Sequence, residues 1–540
     1  MTFKSVAEFM DEGNGFSPTA AELRLIKAAQ SGLPCILYDI DTPSRPDAAT
    51  DDNSIRATLL RLLILGGTKE CGIHQRGVQL AGGWIDGAID LAFCAARGQT
   101  ALIHCQFNET PIFNQTAFGQ LSLSNSAFPG LFAESVQIVG NLFLRNVSST
   151  GTVNVCGSKI GGQLDCTRAV FKSALDENYK RAPAFFAQNI VVCEGLVLLN
   201  VSTKGMVDVT GAKIGGELTC EGANFFNEGD VAFLCQRMQV TQGFIFRNLD
   251  KIGISDRQID LTAAHVGDLV DDIVSWPSTG NSIVLDGFSY DRIAGDAPAT
   301  FAARRQWLET GSLWLGDFRP QPYTQFALVL RQMGHAAEAR KVLMERERLL
   351  AQYRFAADQK EFQAALSGGR DTKADVGWIW LRMKSAQLWS GLMRRVAGYG
   401  YAPQYALYWS LLCVGVSFLA YFMLWRCGAM VPSDAVVLTS AEWKAAFDAN
   451  PLAPALVWAD ANRSGPAASH YETFYALAYA FDVFAPIVDF GQQSTWSATT
   501  VTWAGWFARV YTWALQAAGY IVTTLGIAAA TGIIQRNQPD

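Results

Sequence analysis

The chain has 540 residues, half of them apolar, with 43 basic and 49 acidic side chains and a formal net charge of −6. That length exceeds one ordinary hydrophobic core and predicts at least two domains, and the acidic balance excludes the basic footprint of a nucleic-acid binder. Eleven cysteines without CxxC or Cys/His spacing, and five scattered histidines, exclude a recognisable zinc site, so no metal and no cofactor is expected.

Residues 1–70 read as a helical N-terminal cap. The opening stretch MTFKSVAEFMDEGNG lacks the apolar region of a secretory signal, so a reducing compartment and free thiols are expected. TAAELRLIKAAQ has apolar residues at helical spacing and stops at Ser31-Gly32. Asp51 to Ser54 offer caps for IRATLLRLLILGG. A helical cap suits a fold whose terminal edge would otherwise recruit foreign strands.

Residues 71–295 carry an internal repeat. Val153–Phe171 reads VNVCGSKIGGQLDCTRAVF and Val207–Phe225 reads VDVTGAKIGGELTCEGANF, an offset of 207 − 153 = 54 residues. Earlier and later copies begin at Gly77 (GVQLAGGWIDGAIDL) and Ile259 (IDLTAAHVGDLV). A companion phrase, LFLRNVSSTG, LVLLNVSTKG and FIFRNLDKIG, shares an Asn and a closing Gly. Period-two runs place alternate side chains on one face, and the intervening glycines supply left-handed corners. The pattern predicts a β-solenoid, parallel β-helix-like, with a propeller or a sandwich as the runner-up.

Cys156, Cys166, Cys193, Cys220 and Cys235 fall in or beside these strands and are expected to fill an interior ladder as small apolar residues. Asp86, Asp90, Asp165, Asp208 and Asp260 recur with the repeat, so a solvated outer row is expected rather than a catalytic pair.

The GSKIGGQLDC and GAKIGGELTC units, the closing LDGFSYDRI, the helix pair beyond it and the GYGYAP approach to the membrane together resemble a family of bacterial proteins. These carry the labels membrane-associated oxidoreductase or pentapeptide-repeat-like membrane protein. The resemblance runs from about Ser54 to the C-terminus. It implies a bacterial inner-membrane protein, with oxidoreductase activity as the label's content. No GxGxxG segment here follows a strand and opens a helix.

Residues 296–370 turn helical, with runs over Pro322–Met333 and Ala336–Leu350 spaced like one tetratricopeptide-type pair. Residues 371–404 read as a juxtamembrane amphipathic helix, favoured by their position next to a span, with an ordinary buried amphipathic helix as the alternative. Its Trp378, Trp380 and Trp389, with Arg394 and Arg395, are the candidate membrane-interface residues.

Residues 405–540 form a C-terminal α-helical transmembrane region. Tyr405–Trp425 has 21 residues without a formal charge, about 31 Å of helix, enough for a bilayer core. A second span is expected over about 507–534. Between them, residues 474–493 are apolar but hold Asp482, Pro486, Asp489 and Gly491, the candidate pore or intramembrane polar residues. A re-entrant or interfacial segment, or an imperfect third span, fits this stretch. The basic residues flanking the spans put the solenoid in the cytoplasm.

The leading expectation is therefore an integral membrane protein whose cytoplasmic solenoid binds or senses an unidentified protein or ligand, without catalysis. A channel or transport element, which requires a homo-oligomer, is the alternative. The oxidoreductase implied by the resemblance is a third.

Overall fold

The computed structural model describes residues 18–68, 71–173, 182–227, 231–249, 258–278, 282–314, 316–367, 373–461, 470–485 and 487–532. The chain divides into two compact units, Met1–Val342 and Leu343–Asp540.

The first unit is a parallel β-solenoid of about eight turns. A regular turn lays down four short strands. In the regular part these start at 131, 137, 142, 148, 153, 159, 164 and 170, so steps of six and five residues alternate and one turn takes about 22. Four parallel ladders result, and alternate residues point inward. One interior ladder stacks Leu121, Leu142, Leu164, Leu196, Leu218, Phe244 and Leu269, all buried. A second stacks Phe118, Ile138, Ile160, Val192, Ile214, Val240 and Val266. A third stacks Leu131, Val153, Phe185, Val207, Phe233, Ile259 and Ile283. Each such side chain contributes roughly 1.5–3 kcal/mol by leaving water. The 54-residue period is two turns: Val153 stacks on Phe185 and Phe185 on Val207.

The corners separate two roles that the sequence had merged. Left-handed backbone recurs at Asn125, Asn146, Arg168, Asn200, Gly222 and Asn248 on one edge, and at Gln115, Ser135, Gly157, Asn189, Gly211 and Arg237 on another. Asn146, Asn200 and Asn248 are the shared Asn of the companion phrase, a residue that tolerates this conformation by bonding locally. Asn146 Nδ2 donates to Asn125 Oδ1 at 3.0 Å, so the corner residues also form a ladder. The paired glycines of KIGG do not have positive φ. They are glycine because the coils pack closely there: a Cβ on Gly161 would collide with the Val139 carbonyl, and one on Gly215 with that of Cys193.

The expected solvated row of aspartates is corrected. Asp86 and Asp90 are exposed, but Asp165, Asp208 and Asp260 are only 4, 1 and 5 % exposed. Each folds back so that Oδ1 accepts the amide two residues on, from Thr167, Thr210 and Thr262, at 2.8–2.9 Å. A side chain from the preceding coil covers the other oxygen: Arg145, Gln188 and Gln236 respectively. The cysteine expectation is corrected at two positions. Cys166, Cys220 and Cys235 are buried, whereas Cys156 is half-buried and Cys193 is exposed on the outer face.

Both ends of the solenoid are covered. At the start, α1 (Ala20–Ser31) and α2 (Ala57–Ile64) flank strands Cys35–Ile36 and Ser54–Arg56, which already pair into the ladders. The first coil thus begins inside the segment expected to be only a cap. Glu22, fully buried, accepts from Thr19 N, Arg56 N and the Arg56 guanidinium. At the other end lie α3 (Phe301–Gly311) and α4 (Gln321–Gln332). The last coil's open backbone is met by α4 glutamines. Gln321 accepts from Gly287 N and donates to Phe288 O, and Gln325 donates to Tyr290 O. These bonds satisfy edge groups that otherwise template foreign strands. The unit boundary falls within α5 (Ala336–Ser367), much longer than the run expected from sequence.

The second unit continues with α6 (Lys373–Ala397) and α7 (Gln404–Arg426). Short helices α8 (Ala435–Thr439), α9 (Ala441–Ala449) and α10 (Pro454–Ala461) follow, then α11 (Ala476–Phe484), α12 (Gln492–Thr495) and α13 (Trp503–Ala530). α7 and α13 are long and apolar enough to cross a membrane, and only 17 % and 22 % of their apolar stretches are buried. A core helix of a soluble protein hides its apolar surface, whereas these present Leu411, Leu412, Leu419, Phe422, Trp513 and Ile527 outward.

Candidate functional site

α7 and α13 run antiparallel. Tyr421 Oη and Thr512 Oγ1 lie 2.9 Å apart, Ser417 Oγ and Tyr511 Oη 2.8 Å apart, and Ala406 packs on Gly526 at the other end. Hydroxyl pairs of this kind join helices where no water competes.

The apolar stretch between them forms a hairpin against this pair. Phe474 stacks on Trp425 with centroids 4.9 Å apart, and Tyr479 meets Tyr421 edge-on at 4.7 Å. At the tip, the Phe484 carbonyl sits where a Cβ on Gly519 would be. The descending helix α11 has nine residues, about 14 Å, roughly half of a bilayer core. The chain then turns back through residues 487–496.

Asp482 and Gln492 tie the two limbs together. Asp482, 6 % exposed, accepts the Phe490 amide on Oδ1 and the Gln493 amide on Oδ2, both at 2.8 Å. Gln492, 1 % exposed, accepts from Tyr475 N and donates to Thr473 O, both at 3.0 Å. Asp489 is exposed, and its carboxylate accepts the amide of Gly491, whose φ is 76°. Pro486 lies outside the described residues. Sequence reasoning missed Gln492; an amide inside an apolar run was its only signal.

The hairpin base is aromatic. Trp496 packs edge-on against Trp425 and Tyr471, and its Nε1 donates to Glu472 O at 3.0 Å. Arg509, near the start of α13, donates to Ala498 O at 2.9 Å.

The interface candidates divide. Trp378 and Trp389 are 67 % and 56 % exposed on one face of α6, and Trp380 is 48 % exposed on the opposite side. Arg394 and Arg395 are exposed in its last turn.

On the solenoid, a shallow apolar groove of about 300 Å3 opens over Gly161, between Val139, Cys193, Lys159 and Gln137. Val139 and Cys193 lie one coil to either side of Gly161. Among the described residues no group of three or more His, Cys, Asp or Glu is placed to hold a metal.

Comparison of the chain with protein-family models, with curated proteins and with solved structures returned no match.

Proposed function

We propose that this chain is an integral membrane scaffold: α7 and α13 cross the bilayer, the hairpin enters partway between them, and the solenoid presents a binding surface on one side. The observation that carries the membrane half is the outward apolar surface of two span-length helices. Aromatic side chains mark both ends of the pair, with Tyr405, Tyr408 and Trp409 at one and Trp503 and Trp506 at the other, as in an interfacial belt. The scaffold half is supported by the buried carboxylates. Those of the solenoid are occupied by amides and side chains of their own coils, which suits a rigid surface rather than proton transfer. The groove over Gly161 is the binding position in this reading. In this reading the protein belongs with the bacterial membrane proteins its repeat phrases resemble, and the basic residues flanking the spans support an inner-membrane location with the solenoid in the cytoplasm. Membranes washed with alkaline carbonate test the anchoring: the chain stays in the pellet and needs detergent for release. Release by carbonate alone contradicts it.

A second reading, a channel element built from several copies, draws on the half-depth hairpin. Asp482 is occupied by two amides there, so exposed Asp489 would face the path. A conductance in planar bilayers that Asp489→Asn leaves unchanged removes that residue from the path.

A further inference from the structure

We infer that α6 is a binding site for anionic phospholipid, lying along the headgroup layer with one face inserted. At about 100° per residue, Trp378, Leu381, Leu388 and Trp389 form a single stripe, and they are 67, 51, 76 and 56 % exposed. Lys384 and Arg395 run along one flank of that stripe.

The two flanks differ in what holds them. On the other side Arg382 is engaged by Asp358 at 2.9 Å and Glu361 at 2.7 Å on α5. Among the described residues no carboxylate pairs with Lys384, Arg394 or Arg395. The protein thus anchors one edge of α6 through an ion pair and leaves the opposite edge with uncompensated positive charge next to exposed tryptophan and leucine. Lysine and arginine beside an apolar stripe keep their heads at the level of lipid phosphates while the stems cover hydrocarbon.

Continuity with the span fixes the depth. Met393 and Val396 share a buried cluster with Ala406 and Val414 of α7. Trp409 Nε1 donates to Arg395 O at 2.9 Å. The last turn of α6 therefore sits at the aromatic end of α7, where Tyr405, Tyr408 and Trp409 are exposed. Arg394 and Arg395 stand at the level where phosphates lie if α7 spans. Each basic side chain near such a surface contributes attraction that salt weakens.

This inference rests on the membrane reading above, and its test separates the two. The full chain is placed in phosphatidylcholine nanodiscs with and without phosphatidylglycerol, with a benzophenone amino acid at Leu388, at Trp380 or at Leu412 of α7. Ultraviolet cross-linking is expected to join lipid at Leu388 and Leu412, and several-fold less at Trp380. Native mass spectrometry is expected to show preferential retention of phosphatidylglycerol, lost in the Lys384→Gln, Arg394→Gln, Arg395→Gln triple variant. A lipid adduct at Leu412 without one at Leu388 overturns this inference alone, as does a Leu388 adduct to protein. No lipid adduct at either position overturns the membrane reading with it. A triple variant that keeps the phosphatidylglycerol preference overturns the role of the basic flank.

Discussion

Arg304 and Asp271 meet as a two-pronged ion pair, 2.5 and 2.6 Å, with both side chains at zero exposure. Asp271 ends the strand of the penultimate coil and Arg304 sits in the first turn of α3, so the pair fastens the closing helix to the solenoid. Trp276 Nε1 also donates to Asp271 at 2.6 Å, and Arg304 Nε to Pro298 O. Removing one partner strands a buried charge. Arg304→Met is expected to cost about 3–5 kcal/mol, and pairing it with Asp271→Leu should recover much of that loss. Thermal unfolding of the full chain measures both.

The glycine corners give a contrast in kind. Gly161→Ala and Gly215→Ala place a methyl against a neighbouring coil's carbonyl and should destabilise by about 1–3 kcal/mol each. Gly157→Asn keeps the left-handed backbone that Asn189 adopts at the equivalent corner of the next coil, and should stay within about 1 kcal/mol. Comparing Tm across the three variants decides whether space or backbone conformation governs each corner.

The thiols predict an alkaline limit. Burial pushes Cys35 up to about 11 and Cys105 up to about 12, and raises Cys166, Cys220 and Cys235 as well. The folded state therefore holds these protons more tightly than the unfolded chain. Their contribution is complete below the unfolded thiol range near about 8.5, and is lost as pH rises from there through the folded values. Stability should fall above about pH 9. Alkylation of the native chain at pH 8, read by peptide mass, should modify Cys193 and Cys427 while these five stay protected until denaturant is added.

Much of the solenoid was legible because its signal is repetition. Leu164 and Leu218 occupy one ladder and were found at one offset, as were Cys166 and Cys220. The turn length was not legible from those copies. The strands Val170–Lys172 and Phe185–Phe186 stand further apart in sequence than their counterparts, so the two best-matching phrases, two turns apart, are offset by 54 residues rather than by twice the regular turn. Asp208 was misread because period two places it outward, and only the returning amide of Thr210 and the amide of Gln188 bury it. Arg304 and Asp271 are 33 residues apart with no repeat to link them, and nothing local marks either as buried. In the second unit, charge-free length identified α7, while the hairpin required knowing which amides Asp482 meets.

Asp482 should act as a latch on the hairpin. Asp482→Asn exchanges one acceptor oxygen for an NH2 group facing an amide, which costs about 1–3 kcal/mol locally. Hydrogen exchange at the amides of Phe490 and Gln493 should accelerate well beyond any change in α13. Asp489→Asn, at an exposed position, should leave both rates near those of the parent chain.

Two native cysteines test most directly whether the solenoid is tethered by two crossings. Cys193 is exposed on the solenoid, and Cys427 is exposed at the C-terminal end of α7. With α7 spanning, they lie on opposite sides of the bilayer. A membrane-impermeant maleimide added to sealed, uniformly oriented vesicles should label one of them, and both once the vesicles are permeabilised. Labelling of both cysteines in sealed vesicles contradicts the account.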